Sequence, residues 1–183
     1  MAGSLGVGGD LGKLQVKYGD ASADVQVAGD AGKVQVSGGT VSGAIDVAGS
    51  VSKLQVKDGA FTGQLSVDGA LKKLDVDGNM TGAVVNVGAD LSKLKVRGGL
   101  IGSDVTAADA LNKADVYGDY VDSNLVAGTL GKVKVRGDIR STDATDDSIN
   151  AAAGSFYVYE GKVKYEVLDT AGVWLDGVHA FVG

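Results

Sequence analysis

Apolar and polar residues alternate in short runs that return every twenty residues along most of the chain. A typical unit begins at Gly49 and reads GSVSKLQVKDGAFTGQLSVD: an alternating run, a glycine-rich turn with one apolar residue, and a second alternating run. Alternation over four or five residues predicts a short, half-buried strand. The Gly-Gly, Gly-Asp and Asp-Gly steps between the runs predict turns, because glycine tolerates positive φ angles.

The repetition of this unit predicts a solenoid in which each unit forms one coil. The seven repeat starts are placed at Gly9, Gly29, Gly49, Gly69, Ala89, Asp109 and Gly128, the last one residue early. Equivalent apolar residues should then stack in columns about 4.8 Å apart. Leu5 and Val7 fit the second run of a preceding unit, so we expect the chain to be a fragment of a larger protein that begins in mid-repeat; the alternative is that this half-repeat is a natural end.

The register predicts which residues face inward. Five apolar columns repeat about every twenty residues from Leu11, Leu14, Val16, Val25 and Val27. A sixth column, on the third side of the coil, is assigned to Val41, Phe61, Ile101 and Val121. No coil can bury its apolar side alone, so neighbouring coils must supply the core. The predicted fold is all-β: a parallel β-helix of about seven coils over residues 1–140, right-handed like nearly all parallel crossovers.

Residues 141–183 have a different composition and are predicted to form a loop followed by a β-rich cap. Residues 141–150 read STDATDDSIN, an acidic loop, and six of the ten aromatic residues lie in the last 28 positions. Alternating runs at 156–159 and 163–167 flank Glu160-Gly161-Lys162, which predicts a hairpin. A solenoid needs a distinct terminal unit to cover its open end. A separate binding module in the same segment is the alternative.

One outward position is a lysine in all seven units. These residues are Lys13, Lys33, Lys53, Lys73, Lys93, Lys113 and Lys132. Neighbouring outward positions add Lys17, Lys57, Lys95, Arg97, Lys134 and Arg136. These thirteen basic residues share their face of the coil with only three acidic residues, Asp75, Asp77 and Asp115. That face therefore has a net charge of +10, whereas the whole chain has a net charge of −6. The sequence therefore predicts a molecule with one basic face and acidic remaining faces.

Stacked like charges repel by up to about 1 kcal/mol per pair in water, so the lysine column needs an explanation. Three interpretations of the basic face stay open. The face is a solvated row that prevents edge-to-edge aggregation, a surface that packs on acidic faces of another copy, or a binding surface for a polyanion such as an acidic glycan or a lipid headgroup. For the last, the candidate residues are the seven column lysines with Arg97 and Arg136.

The composition removes several classes of chemistry. The chain has no cysteine, and His179 is its single histidine, so the usual transition-metal sites and a Ser-His-Asp arrangement cannot be built. We predict no catalytic residues, no metal ligands and no cofactor. Ca²⁺ bound between Asp-rich turns is an alternative, although Asp20, Asp30, Asp90 and Asp119 do not share one turn position.

Charge and hydropathy also bear on partners. A net charge of −6 argues against a nucleic-acid partner. No apolar run is long enough to span a membrane. The first residues, MAGSLGVGGD, lack the features of a signal peptide.

The repeats quoted above resemble the twenty-residue parallel β-helix repeats of very large bacterial surface or secreted proteins. The resemblance covers about 130 of the 183 residues. It implies a non-catalytic structural, adhesive or self-assembling segment, located outside the cell or on its surface. Its partners would be further copies, associating laterally or end to end, or an acidic polysaccharide. Polysaccharide lyases resemble this fold too and provide the remaining enzyme alternative. They use longer chains with basic and Ca²⁺-binding residues at defined loops, and this chain shows no long loop in which to place such a site.

Overall fold

The computed structural model describes residues 2–142, 148–167, 173–175 and 178–182. The described residues form strands and turns and contain no helix. Five residues of the predicted acidic loop, 143–147, and the side chains of Trp174 and Phe181 lie outside this description.

The strands lie on two sides of the coils and, from the fourth to the seventh coil, also on a third. The first side holds β2 (Leu11–Lys17), β4 (Ala31–Ser37), β6 (Val51–Lys57), β8 (Leu74–Val76), β11 (Leu94–Val96) and β18 (Phe156–Glu160). The second holds β1 (Ser4–Val7), β3 (Asp24–Val27), β5 (Ala44–Val47), β7 (Gln64–Val67), β10 (Val84–Val87), β17 (Ser148–Ala151) and β21 (Val178–Val182). Two long strands bend from the second side into the first, β13 (Asp104–Val116) and β15 (Asn124–Val135). The third side holds β9 (Met80–Thr81), β12 (Leu100–Ile101), β14 (Tyr120–Val121) and β16 (Ile139–Arg140). The two remaining strands, β19 (Val163–Val167) and β20 (Val173–Leu175), belong to the C-terminal segment.

Strands of successive coils pair in parallel with an offset of twenty residues. Val25 lies opposite Ile45 on the second side, and Lys33 lies opposite Lys53 on the first. Between β13 and β15 the offset falls to nineteen after an irregularity at Ala107–Ala110, which accounts for the repeat that starts one residue early. The prediction of a parallel β-solenoid of about seven turns is confirmed.

The five predicted apolar columns are inward-facing and form one continuous core. Val56, Leu74 and Val85 are fully buried, at 0% exposure. The equivalent residues of the first coil, Leu11 and Val16, are only half-buried and pack against the edge of this core. Burial of each coil therefore depends on the coils stacked on it, as the repeat pattern predicts.

The sixth column differs from its prediction, and the assignment of Ile101 and Val121 to it is wrong. From Val41 and Phe61 the backbone pairing continues through Met80, Leu100, Tyr120 and Ile139. Ile101 is half-buried and lies one position after the column. The prediction failed because the fourth coil loses one residue in one corner and gains one in the next, so that the period of twenty hides the shift.

The backbone records this shift in its positive φ angles. In the first three coils the left-handed residues follow the first side, at Tyr18, Gly38 and Asp58, with φ angles of 61°, 73° and 52°. In the next three they follow the third side, at Gly82, Gly102 and Asp122, with φ angles of 59°, 55° and 47°. Gly, Asp and Asn are the residues that adopt this conformation most readily, so Tyr18 is the exception in the series.

The corner after the first side contains a column of glycines, formed by Gly19, Gly39, Gly59, Gly78, Gly98, Gly118 and Gly137. The coils approach each other closely here. The backbone N–H of Gly78 donates to the Gly59 carbonyl at 2.8 Å, and a Cβ atom at Gly59 would overlap the carbonyl oxygen of Gly39. Only residues without a side chain allow this spacing between coils.

Polar side chains at the corners join successive coils along the axis. Asp10 Oδ1 accepts the backbone N–H of Asp30 at 2.9 Å, and Asp20 Oδ1 accepts that of Thr40 at 2.7 Å. Asp24 Oδ1 accepts the N–H of Ala44 at 3.0 Å. These carboxylates satisfy backbone donors at the turns, so many of the chain's acidic groups have a structural role.

The C-terminal strands continue the stack before the chain reverses. β17 and β18 pair in parallel with β15, and β21 pairs in parallel with β17. β18 and β19 are antiparallel, which confirms the predicted hairpin around Glu160-Gly161-Lys162. That this segment covers the open end of the solenoid stays a prediction.

Candidate binding face

The outward side chains of the first side form three parallel columns, because residues i, i+2 and i+4 of a strand share one face. We call this surface the basic face. Its first column contains the seven lysines from Lys13 to Lys132, and register pairs such as Lys33 with Lys53 and Lys113 with Lys132 align them. The second column is Gln15, Gln35, Gln55, Asp75, Lys95, Asp115 and Lys134. The third is Lys17, Ser37, Lys57, Asp77, Arg97, Tyr117 and Arg136.

Aspartates neutralise the basic face in its middle coils. The carboxylate of Asp75 is only 2% exposed, and its Oδ2 lies 2.7 Å from Lys73 Nζ. Arg97 lies 3.7 Å from Asp75 Oδ1 and also forms an ion pair with Asp77. Two coils further along the axis, Asp115 forms ion pairs with Lys113 at 2.9 Å and with Lys93 at 3.8 Å. The cations of these coils are therefore bound within the molecule.

Asp75 remains ionised despite its position. Burial on its own would raise the pKa of this carboxyl group, since it penalises the charged form. The hydrogen bond from Lys73 and the charges of Lys73, Arg97 and Lys95 outweigh burial and hold the pKa of Asp75 below its usual value. At neutral pH this group is therefore a fixed anion that holds its cationic neighbours in place.

Aromatic rings cover the cations at the C-terminal end of the basic face. Tyr117 lies between two of them, with Lys95 Nζ 5.2 Å and the Arg136 guanidinium carbon 4.0 Å from the ring centroid. Lys132 lies 4.4 Å from the ring centroid of Tyr159. A cation over an aromatic face is attracted by the ring quadrupole. These contacts hold Lys95, Lys132 and Arg136 against the surface.

Five lysines in the first three coils differ from the rest, and we call them the lysine patch: Lys13, Lys17, Lys33, Lys53 and Lys57. Within the described part of the chain, none of them has a carboxylate oxygen within 4.0 Å or lies over an aromatic ring. The second column between them is neutral, with Gln15, Gln35 and Gln55. The patch is about 13 Å wide, four residues along a strand, and spans three coils.

The lysines of the patch affect one another. Partial burial is the largest cause that lowers the pKa of Lys53, followed by the positive charge of Lys73. Asp75 opposes these effects in part, while Lys33 and Lys57 lower the pKa of Lys53 further. Burial and the neighbouring lysines therefore both disfavour the charged form of this amino group.

The structure divides the nine predicted binding residues into three groups. Lys13, Lys33 and Lys53 are uncompensated. Lys73, Lys93, Lys113 and Arg97 are ion-paired, and Lys132 and Arg136 contact rings. Lys17 and Lys57 belong with the first group but are missing from the predicted set. The signal that selects them is the absence of acidic residues from the basic face in the first three coils.

Other kinds of site have little support in the described residues. They contain no group of three or more His, Asp or Glu side chains placed to hold a metal ion. None of them belongs to a helix that could cross a membrane. A shallow, open depression has Asp30 as its one carboxylate and is otherwise lined by small residues and Lys72.

No protein-family model, curated protein or solved structure matches this chain. The solenoid fold therefore rests on the structure itself, and the bacterial surface context stays an expectation from the resemblance.

Proposed function

We propose that this chain is a non-catalytic structural segment of an extracellular bacterial protein, acting as a stiff spacer with an adhesive face. The observation that carries the proposal is the strict register of the coils. Parallel pairing continues from β1 to β15 with offsets of twenty or nineteen residues. In such an array the number of coils sets the length of the rod.

Hydrogen bonding along the axis supports stiffness. The backbone N–H of Lys72 donates to Val51 at 2.9 Å, and that of Ser92 donates to Leu71 at 3.0 Å. The corner carboxylates add further bonds between coils, such as Ala110 N–H to Asp90 Oδ1 at 3.1 Å. Bending the rod would stretch these bonds and open the close-packed apolar columns.

We favour a spacer that acts singly over a laterally self-assembling segment. Lateral packing of the basic face needs a complementary row of free carboxylates on a second copy. Asp10, Asp20, Asp24 and Asp30 instead each accept a backbone N–H of the following coil. One oxygen of each carboxylate is therefore already hydrogen-bonded within its own molecule, to the next coil along the axis.

A coil-insertion series tests the spacer proposal. Three further copies of residues 69–88 would be inserted after Gly88; this unit is electrically balanced, with Lys72 and Lys73 against Asp75 and Asp77. Because stacked strands lie about 4.8 Å apart, the maximum dimension from small-angle X-ray scattering should grow by about 14 Å, with an unchanged cross-section.

The matched control carries a Gly/Ser-rich insert of the same length at the same point, which should behave as a flexible coil. If the repeat insert gives the same flexible scattering profile as the Gly/Ser insert, or enlarges the cross-section, the spacer proposal is wrong.

A further inference from the structure

The lysine patch retains repulsion that the rest of the basic face avoids. In the middle coils the same columns contain Asp75, Asp77 and Asp115, whereas the patch has glutamines and a serine in those places. Lys33 and Lys53 are direct neighbours across coils, and the charges of Lys33 and Lys57 add to the larger effects of burial and of Lys73 in lowering the pKa of Lys53. The patch therefore presents five adjacent positive charges to which an external anion can bind.

Tyr18 provides a second, independent observation at the edge of the patch. It follows Lys17 directly, its side chain is 92% exposed, and its φ angle is 61°. The equivalent residues of the next coils are Gly38 and Asp58, which adopt this conformation at lower cost. Because the ring is exposed to solvent, packing of the ring does not offset the cost of this backbone conformation. Backbone strain of this kind is often found at ligand-binding sites.

We propose that the lysine patch and Tyr18 form a binding site for a linear acidic polysaccharide. The ammonium groups would bind the carboxylate or sulfate groups of the polymer, and the Tyr18 ring would stack on the apolar face of a sugar. The exposed amide of Gln15 lies between Lys13 and Lys17, where it can hydrogen-bond sugar hydroxyls. This site goes beyond the spacer role and does not depend on it.

Two other polyanions fit the patch less well. A second copy of this chain would offer corner carboxylates that already accept backbone N–H groups. Single-stranded nucleic acid is bound by several aromatic rings on which successive bases stack. Tyr18 is the single ring beside the patch among the described residues, since Tyr117 and Tyr159 lie at the other end of the face.

Titration calorimetry with polygalacturonate and with dextran sulfate at several salt concentrations tests the proposal and separates carboxylate from sulfate recognition. Five lysines that displace counterions predict a slope of log K against log salt of about −3.5, taking about 0.7 per charge from single strands. The triple variant Lys13→Gln, Lys33→Gln, Lys53→Gln should reduce this slope by about 2 and weaken binding more than about a hundredfold at 0.05 M salt. The matched control, Lys72→Gln with Lys162→Gln, removes two exposed lysines outside the patch and should bind like the wild type.

Tyr18→Gly separates recognition from folding, because it removes the ring and also the backbone strain. We expect a more stable protein that binds the polysaccharide about tenfold more weakly, within the usual range for one stacking contact. Unchanged affinity of the triple lysine variant would overturn the proposal. So would Tyr18→Gly binding at wild-type affinity, or oligo(dT) binding more tightly than either polysaccharide.

Discussion

At the scale of single residues, Asp75 shows how an outward-facing carboxylate becomes part of the structure. Its position in the strand points it away from the apolar core, yet it is only 2% exposed because neighbouring long side chains cover it. The ion pairs with Lys73 and Arg97 keep it charged. An ion pair of this kind stabilises the fold only while the carboxylate is ionised.

The pH dependence of stability follows from the lowered pKa of Asp75. A depressed folded-state pKa contributes stability that is fully present above the unfolded value, about 3.9, and is lost as the pH falls through the folded-state pKa. Asp75→Asn should therefore lower the free energy of unfolding at pH 7 by about 1 kcal/mol, a value reduced for the exposure of its cationic partners. Urea unfolding should show this deficit shrinking as the pH is lowered from 5 towards 2.

Asp46→Asn is the matched control, since Asp46 is exposed and has no ion pair among the described residues. Its effect should stay within about 0.5 kcal/mol at every pH. Equal stability of Asp75→Asn and the wild type at pH 7 would contradict this account of Asp75.

At the scale of the coil, the corners decide how closely the strands stack. The glycine column has no counterpart in an ordinary parallel sheet, where helices separate the turns. Gly59 and Gly78 bring two backbones into hydrogen-bond contact at a place where a methyl group has no room. The spacing of the whole array is therefore sensitive to one atom at these corners.

Gly59→Ala should reduce the free energy of unfolding by about 1–3 kcal/mol, because the new Cβ meets the Gly39 carbonyl oxygen and forces the coils apart. Gly12→Ala is the control, since no atom lies within 4 Å of its Cβ position. Chemical denaturation of both variants distinguishes crowding from a general effect of losing a glycine. Equal losses for the two variants would show that coil spacing is not the cause.

The sequence was sufficient for the strands and five apolar columns, because alternation and a twenty-residue period together determine which residues stack. It was insufficient for the third side, where Met80, Leu100 and Tyr120 replace the predicted Ile101 and Val121. A residue removed from one corner and added to the next leaves the period unchanged. The exchange is seen in the backbone pairing of Phe61 with Met80 and in the positive φ angle, which moves from Asp58 to Gly82 and Gly102.

At the scale of the whole molecule, the basic face is not uniform along the rod. The sequence predicted its net charge, but the pairing of Lys93 with Asp115 joins neighbouring coils and depends on their spacing. The basic side chains therefore differ along the rod. Among the described residues, the lysines of the first three coils have no ion pair or ring contact, those of the middle coils form ion pairs, and those further along contact aromatic rings. The uncompensated lysines of the lysine patch are thus separated along the rod from the ion-paired cations of the middle coils.

The distance between two points on the rod tests the central claim, a single stiff stack of coils, most directly. The chain contains no cysteine, so Gln26→Cys with Val126→Cys provides two unique sites for nitroxide labels. Both positions belong to one outward column, in register through Asp46, Ser66, Asn86 and Thr106. Five coil spacings separate them, about 24 Å. Double electron–electron resonance should give one narrow distance distribution near that value, identical at low and high salt. A broad distribution, or one that shifts with salt, would contradict the account.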